Sequence, residues 1–149
     1  TIITPVGSGG TIAGLINGCL PFNKQVIGVA VLKNASYLNQ DIENLVSSQV
    51  SNAVQWQLLT QYHGGGYAKF SQQDCQQMLE FMAETNLPIE PIYSGKMILA
   101  FLDLLHQGYF HSGQKIMLLH TGGLQGLHGM AARGLINSDH WPVPTFEVQ

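Results

Sequence analysis

Near the start of the chain, Gly7-Ser8-Gly9-Gly10-Thr11 stands between an apolar run over 1–6 and a second apolar run over 12–20. A strand that enters a glycine turn and leaves as a helix presents bare backbone N–H groups at the helix N-terminus, a good seat for a phosphate. Glycine at 7, 9 and 10 removes the Cβ atoms that would hold an anion off the backbone. The turn is not a dinucleotide fingerprint, because Ile12 stands where the third glycine belongs. The next apolar run also ends in Lys33 and Asn34 rather than in an acidic residue that would bind a ribose. No G-x-x-x-x-G-K-[ST] occurs; Gly95-Lys96 is followed by Met97. Taken by itself, the turn fits a purely structural role equally well.

Other groups with chemical potential are fewer. Tyr93, in Pro91-Ile92-Tyr93-Ser94-Gly95-Lys96, precedes a helix start. It reads either as an aromatic packed on the sheet edge or as a phenol delivered to a strand-end pocket, and position alone leaves both readings open. His63-Gly64-Gly65-Gly66 is like the oxyanion segment of some lipases, but no G-x-S-x-G supplies a nucleophile. Three successive glycines fit better as a tight loop against a ligand or another backbone. The six histidines show no metal-ligand spacing, and the carboxylates are too scattered for a glycosidase-like pair. No metal is expected.

The scaffold that would position these groups alternates strand and helix. Strands are predicted over 1–6, 25–32, 56–62 and 115–119. The run QVIGVAVL is apolar on both faces, as a central parallel strand is. Helices are predicted over 11–20, stopped at Pro21, and from Ser36, with Leu38, Ile42, Leu45 and Val46 on one face. Another starts at Ser71, with Asp74 completing a loose capping box, an apolar stripe of Cys75, Met78, Leu79 and Met82, and an end at Asn86 and Pro88. Ser94 is expected to cap a helix over 95–107, and a last helix follows over 124–133. The tail with Pro142 and Pro144 reads as irregular. Such alternation implies an α/β fold, a parallel sheet with helices on both faces and ligands bound at the carboxyl ends of the strands. The turns at Gly7, Gly64 and Thr121 follow strands and would share that rim.

The chain has 149 residues, 45% apolar, which is enough for one domain. Only 10% are charged, well under the usual quarter or so, which implies that much of the surface is covered by another part of the protein or a subunit. A net charge of −3 without a basic block points away from nucleic acid and anionic membranes. Cys19 and Cys75 read as small buried thiols in a reducing compartment. No signal peptide or spanning run is visible, so a cytoplasmic location is expected. The chain starts inside an apparent strand, which suggests a piece of a longer protein.

Four segments, VGSGGTIAGL, YHGGGYAKF, PIYSGKM and KIMLLHTGGLQGLHG, follow one another in a familiar order. In order and spacing the chain resembles the D-cysteine desulfhydrase and 1-aminocyclopropane-1-carboxylate deaminase family from Thr1 to about Arg133. The resemblance implies a pyridoxal 5'-phosphate enzyme with the tryptophan synthase β-like fold. On it, Gly7, Ser8, Gly9, Gly10 and Thr11 match the phosphate cradle, and Thr121 matches the position facing the pyridine nitrogen. A neutral hydroxyl there makes a milder electron sink than an aspartate. Tyr93 matches a tyrosine on the substrate side, a candidate acid/base or substrate contact, and the loop from Gly64 to Tyr67 lines the pocket.

Two departures qualify what the resemblance implies. The family's Schiff-base lysine lies upstream of the phosphate loop, and Lys24, Lys33, Lys69, Lys96 and Lys115 occupy other positions. The whole of 1–149 is therefore expected to be one segment, the C-terminal part of the cofactor domain, inactive without an N-terminal portion of the same protein and forming a homodimer when intact. The deaminase branch also carries a tyrosine in the strand before its H-x-G-G turn, and Ile116 to Leu119 have none. This favours a lyase or deaminase of D-cysteine desulfhydrase type, acting on a small amino acid to give pyruvate and ammonia, with sulfide from D-cysteine. The alternatives are a 1-aminocyclopropane-1-carboxylate deaminase, a non-catalytic phosphate-ligand-binding domain and, weaker on account of Ile12 and Asn34, a nucleotide-binding dehydrogenase.

Overall fold

The first apolar run forms strand β1 over Ile2–Val6, and QVIGVAVL forms β2 over Val26–Ala30, buried at every position. The computed structural model describes residues 1–143 apart from Asn23 and Asn52, so Pro144 of the expected irregular tail lies outside the described residues. Strands β3, Trp56–Leu59, and β4, Met117–Leu118, complete a four-stranded sheet in the order β3-β2-β1-β4, every pair parallel. The register runs Ile2↔Val26 to Val6↔Ala30 between the central strands, whereas β4 pairs only at Ile2↔Met117 and Ile3↔Leu118. Pro5 explains how β1 tolerates a proline. The Ile2 N–H faces β2, donating to the Gln25 carbonyl, and the Ile3 carbonyl faces β4, accepting from Leu119 N–H. The missing donor of Pro5 therefore points to the β4 side, beyond the point where β4 has ended.

Alternation along the strands divides the core. Ile3, Ile27 and Val29 face one cluster; Val6, Val26 and Ala30 face the other. Helices α1, Gly10–Cys19, and α2, Leu38–Leu45, cover the second face, with the four-residue α3, Ser48–Ser51, beside them. Helices α4, Gln72–Thr85, and α5, Ser94–His106, cover the first, and Leu127 and Met130 of α6, Gly126–Ala132, join the same cluster. This is the expected three-layer arrangement. Gly28 lets α1 lie close to the sheet: a Cβ there would stand 2.5 Å from Ile12 Cδ1 and 2.8 Å from Val6 Cγ2. No described helix is long and apolar enough to cross a membrane.

Several local expectations change. Ser71 does cap α4, its Oγ accepting from Asp74 N–H at 3.0 Å while Asp74 Oδ2 accepts from Ser71 N–H at 2.7 Å, and α4 ends at Asn86 in the left-handed region. Ser36 is no cap. A 3-10 turn over Ala35–Tyr37 precedes α2, and Asn39 Nδ2 donates to the Ser36 carbonyl. Ser94 is the first residue of α5 rather than its cap, because the hydroxyl turns back to the Glu90 backbone. Leu38, Ile42 and Val46 are buried as expected, but Leu45 is 55% exposed. Neither cysteine is in a disulfide; Cys19 is buried and Cys75 half-buried.

Candidate functional site

The turn between β1 and α1 is built to expose its amides. Gly9 sits in the left-handed region at φ 88°, and a Cβ there would meet Ile42 Cγ1 at 2.9 Å, so only glycine fits. No side chain caps α1, and its first turn holds no acidic residue. The helical ladder starts with Ala13 N–H donating to Gly9 O at 3.0 Å. The amides of Gly10, Thr11 and Ile12 precede it and are left for a ligand or solvent.

These amides border a cleft of about 590 Å³ at the carboxyl end of the sheet. Gly7, Ser8, Gly9, Gly10, Thr11, Tyr93 and Thr121, each singled out from the sequence, all line it, together with Tyr67 from the triple-glycine loop. Asp41 of α2 is the one carboxylate among the lining residues. None of the five lysines lines the cleft. Among the described residues no group of His, Cys, Asp and Glu could hold a metal ion.

Each aromatic is held from behind. Tyr93 precedes α5, and its N–H donates to Glu90 Oε1 at 2.9 Å. The same carboxylate accepts from the N–H groups of Ile92 at 2.7 Å and Ser94 at 2.7 Å, and from Ser94 Oγ at 3.1 Å. Glu90 is 2% exposed. Its hydrogen bonds come from this short turn, as a buried carboxylate needs. Gly7 leaves room for the phenol, since a Cβ at Gly7 would lie 3.3 Å from Tyr93 Cε1. The rings of Tyr67 and Tyr93 meet edge to face with centroids 6.2 Å apart. Burial first, then the neighbouring Tyr67 hydroxyl and the Glu90 charge, pushes the Tyr93 phenol above its ordinary value. At neutral pH it is a protonated donor.

Two histidines shape the glycine turns in the same way. His63 Nδ1 accepts from Gly65 N–H at 2.9 Å, and His120 Nδ1 accepts from Gly122 N–H at 3.0 Å. His120 Nε2 then carries the proton and donates to the Pro88 carbonyl at 3.1 Å, which ties the Thr121 turn to the segment that bears Glu90 and Tyr93. Gly123, at φ 104°, closes against Glu90, whose Cγ would stand 3.1 Å from a Cβ there.

Sequence reasoning missed Glu90 and the buried Lys96. Lys96 is fully buried, its Nζ donating to the carbonyls of Val31 at 3.1 Å and Gly66 at 2.7 Å. Burial pushes its pKa down to about 8 against the pull of Glu90 and Asp74. A signal existed in the sequence: a lysine that opens the apolar helical run Met97-Ile98-Leu99-Ala100-Phe101 has few ways to reach water.

Comparison with known proteins agrees with this geometry. Residues 1–122 match the model of the family described as pyridoxal-phosphate dependent enzyme. A Thermotoga maritima protein named as a candidate 1-aminocyclopropane-1-carboxylate deaminase is 29% identical over 140 residues, covering 89% of this chain and 44% of the relative. The Arabidopsis thaliana bifunctional D-cysteine desulfhydrase/1-aminocyclopropane-1-carboxylate deaminase, mitochondrial, is 26% identical over 132 residues, covering 85% of this chain and 33% of that protein. A crystal structure of a homologue of the same deaminase superposes with a TM-score of 0.70 at 26% identity, over 91% of this chain and 43% of that one. The chain thus spans less than half the length of the relatives it matches.

Proposed function

This chain belongs to the family of pyridoxal-phosphate dependent enzymes. On that premise we propose that it supplies the phosphate cradle, the ring-nitrogen contact and the substrate-side tyrosine of an enzyme that deaminates or desulfurises a small amino acid. The carrying observation is the uncapped start of α1, whose first three residues line the same cleft as Tyr93, Tyr67 and Thr121. The residues present fit a phosphate ester. Gly10 has open space where a Cβ would stand, with no heavy atom within 4 Å, and Gly9 has the one backbone conformation the turn requires.

When bound, pyridoxal phosphate supplies an electron sink that acidifies the α-hydrogen of an amine joined to it. The chain's own residues do the rest. Gly10, Thr11 and Ile12 amides hold the phosphate at the positive end of α1. The Thr121 hydroxyl gives the ring nitrogen a hydrogen bond without a countercharge. Tyr93, kept protonated and braced through Glu90, hands a proton to the substrate side or orients it. In this reading 1–149 is the C-terminal part of the cofactor domain, and the lysine that carries the cofactor comes from outside it. This is supported by the absence of every described lysine from the cleft lining. The bare chain then turns nothing over, and the intact enzyme works as a homodimer.

Two substrate classes stay in view. The lack of a tyrosine across Ile116 to Leu119 favours D-cysteine or a similar β-substituted amino acid. The relatives' names favour 1-aminocyclopropane-1-carboxylate as much, and side-by-side turnover of both by the intact enzyme decides between them.

Gly10→Asp tests the cradle. A carboxylate in the first turn of α1 stabilises that helix by about 0.5 kcal/mol but repels a phosphate in the same place. The expected outcome for the intact protein is unchanged or slightly raised apo stability with cofactor affinity at least about tenfold weaker, a loss of roughly 1.4 kcal/mol. Unchanged cofactor affinity, read from its absorbance on titration, overturns the assignment.

A further inference from the structure

We propose that the Lys96 ammonium is a tethered cation that clamps the triple-glycine loop to the end of β2 and thereby sets the spacing of Tyr67 from Tyr93 across the cleft. The inference rests on the reading of the cleft given above. It makes Lys96 a positioning residue, not a catalytic one.

The argument starts from what surrounds the side chain. Lys96 sits in the first turn of α5, three residues after Tyr93, at the helix end where a positive charge is disfavoured. It is also fully buried. A lysine kept in so costly a place is stabilised by the groups its ammonium meets. Those groups are two backbone carbonyls. Val31 follows β2, and its N–H donates to the carbonyl of Val6, immediately before the Gly7 turn. Its own carbonyl accepts from Lys96 Nζ. Gly66, at φ 134° and buried, offers the other carbonyl, and Tyr67 is the next residue. One ammonium thus joins the end of β2, which is bonded to the last residue of β1, to the loop that carries Tyr67, from a helix whose start carries Tyr93. The edge-to-face contact of the two rings lies at the end of this chain of bonds.

The loop has little else to hold it. Gly64, Gly65 and Gly66 all have positive φ, and within the loop Gly66 N–H bonds to His63 O at 3.0 Å and Lys69 N–H to Gly66 O at 3.1 Å. These bonds give the loop its shape but do not fix it to the sheet. A small cavity of about 150 Å³, lined by Tyr62, Gly64, Asp74 and Lys96 among others, adjoins the ammonium. If the side chain is cut back, the two carbonyls face a void large enough for a small cation.

The test is chemical rescue in the intact protein. Lys96→Ala removes the ammonium and leaves space; Lys96→Met removes it and keeps the space filled. In tetramethylammonium chloride, whose cation has no N–H and is too bulky for the void, amide exchange across 63–67 in Lys96→Ala should speed up by about tenfold, as the loop loses the bond that ties it to the end of β2. In ammonium chloride that exchange should return toward the wild-type rate, with kcat recovering alongside it, and the wild type should respond to neither salt. Lys96→Met should show the same loosening without rescue. Exchange in Lys96→Ala that ignores ammonium overturns the clamp. If the alanine variant fails to fold, the methionine variant decides: a loosened 63–67 supports the clamp, and an undisturbed one refutes it. Loss of fold in both assigns Lys96 to the core instead. A wild-type protein that binds no pyridoxal phosphate defeats the proposed function, while the exchange data still judge the clamp.

Discussion

The Tyr93 phenol shows how a single side chain is prepared for chemistry. Its backbone N–H is fixed by Glu90, its ring by Gly7 and Tyr67, and its proton by burial. Loss of the hydroxyl leaves the backbone and ring supports intact, so Tyr93→Phe should fold normally and bind the cofactor within about threefold of wild type, while turnover falls by about 100-fold, within the usual range for a lost acid/base group. Cofactor titration and steady-state rates on the intact protein check this, and equal loss in both would make Tyr93 a binding group only. The glycine turns and Tyr93 of this lining were legible because glycine turns and an aromatic before a helix have few other uses at a strand end, whereas Tyr37 and Asp41, which also line it, carry no such mark. Glu90 and Lys96 were not legible, because their importance lies in the backbone groups they meet, two to four residues away for Glu90 and 30 and 65 for Lys96, which apolar periodicity does not reveal.

Among the elements, strand identity and order of types were readable from apolar runs, whereas their ends were not. The run over 115–119 pairs over only two residues because β1 meets it only at Ile2 and Ile3. Ser71 was readable as a cap because the reciprocal partner lies three residues away; Ser94 was not, because a neighbouring turn outcompetes the helix for its hydroxyl. One tie between elements has a measurable pH signature. Tyr62, just past β3, donates to Asp103 Oδ2 of α5, and burial together with that carboxylate pushes its phenol from 10.0 up to about 12. The unfolded chain releases this proton near 10 and the folded chain only near 12, so the folded form binds more protons between those values and stability falls as pH rises through the window. The contribution is complete below pH 10. Urea unfolding of wild type and Tyr62→Phe should therefore differ by a constant amount, roughly 1 kcal/mol, at pH 7 to 9, and the difference should shrink from pH 10 to 12. A difference that stays constant across that range removes the role assigned to Asp103.

For the molecule as a whole, the decisive quantity is how much apolar surface the chain shows for so few charges. Only 10% of residues are charged, and the net charge is −3. Phe22 is 66% exposed, Leu87 57%, Met117 57% and Tyr37 55%. Met117 lies on β4, the outer strand of the sheet, whose far edge pairs with no described strand. With no charge on either residue of this strand, no charged side chain guards the open edge against pairing with another chain. These features thus make the 149-residue chain prone to associate by itself. Expressed alone at neutral pH and moderate salt, it should sediment as dimers and larger species at about 10–50 μM, since little net charge opposes contact. Met117→Lys should shift it back toward monomer by placing a charge on the open edge, without touching the cleft. A chain that stays monomeric throughout that range would show that its exposed apolar residues need no cover, and would remove the physical reason for expecting a missing portion or a second copy against this face.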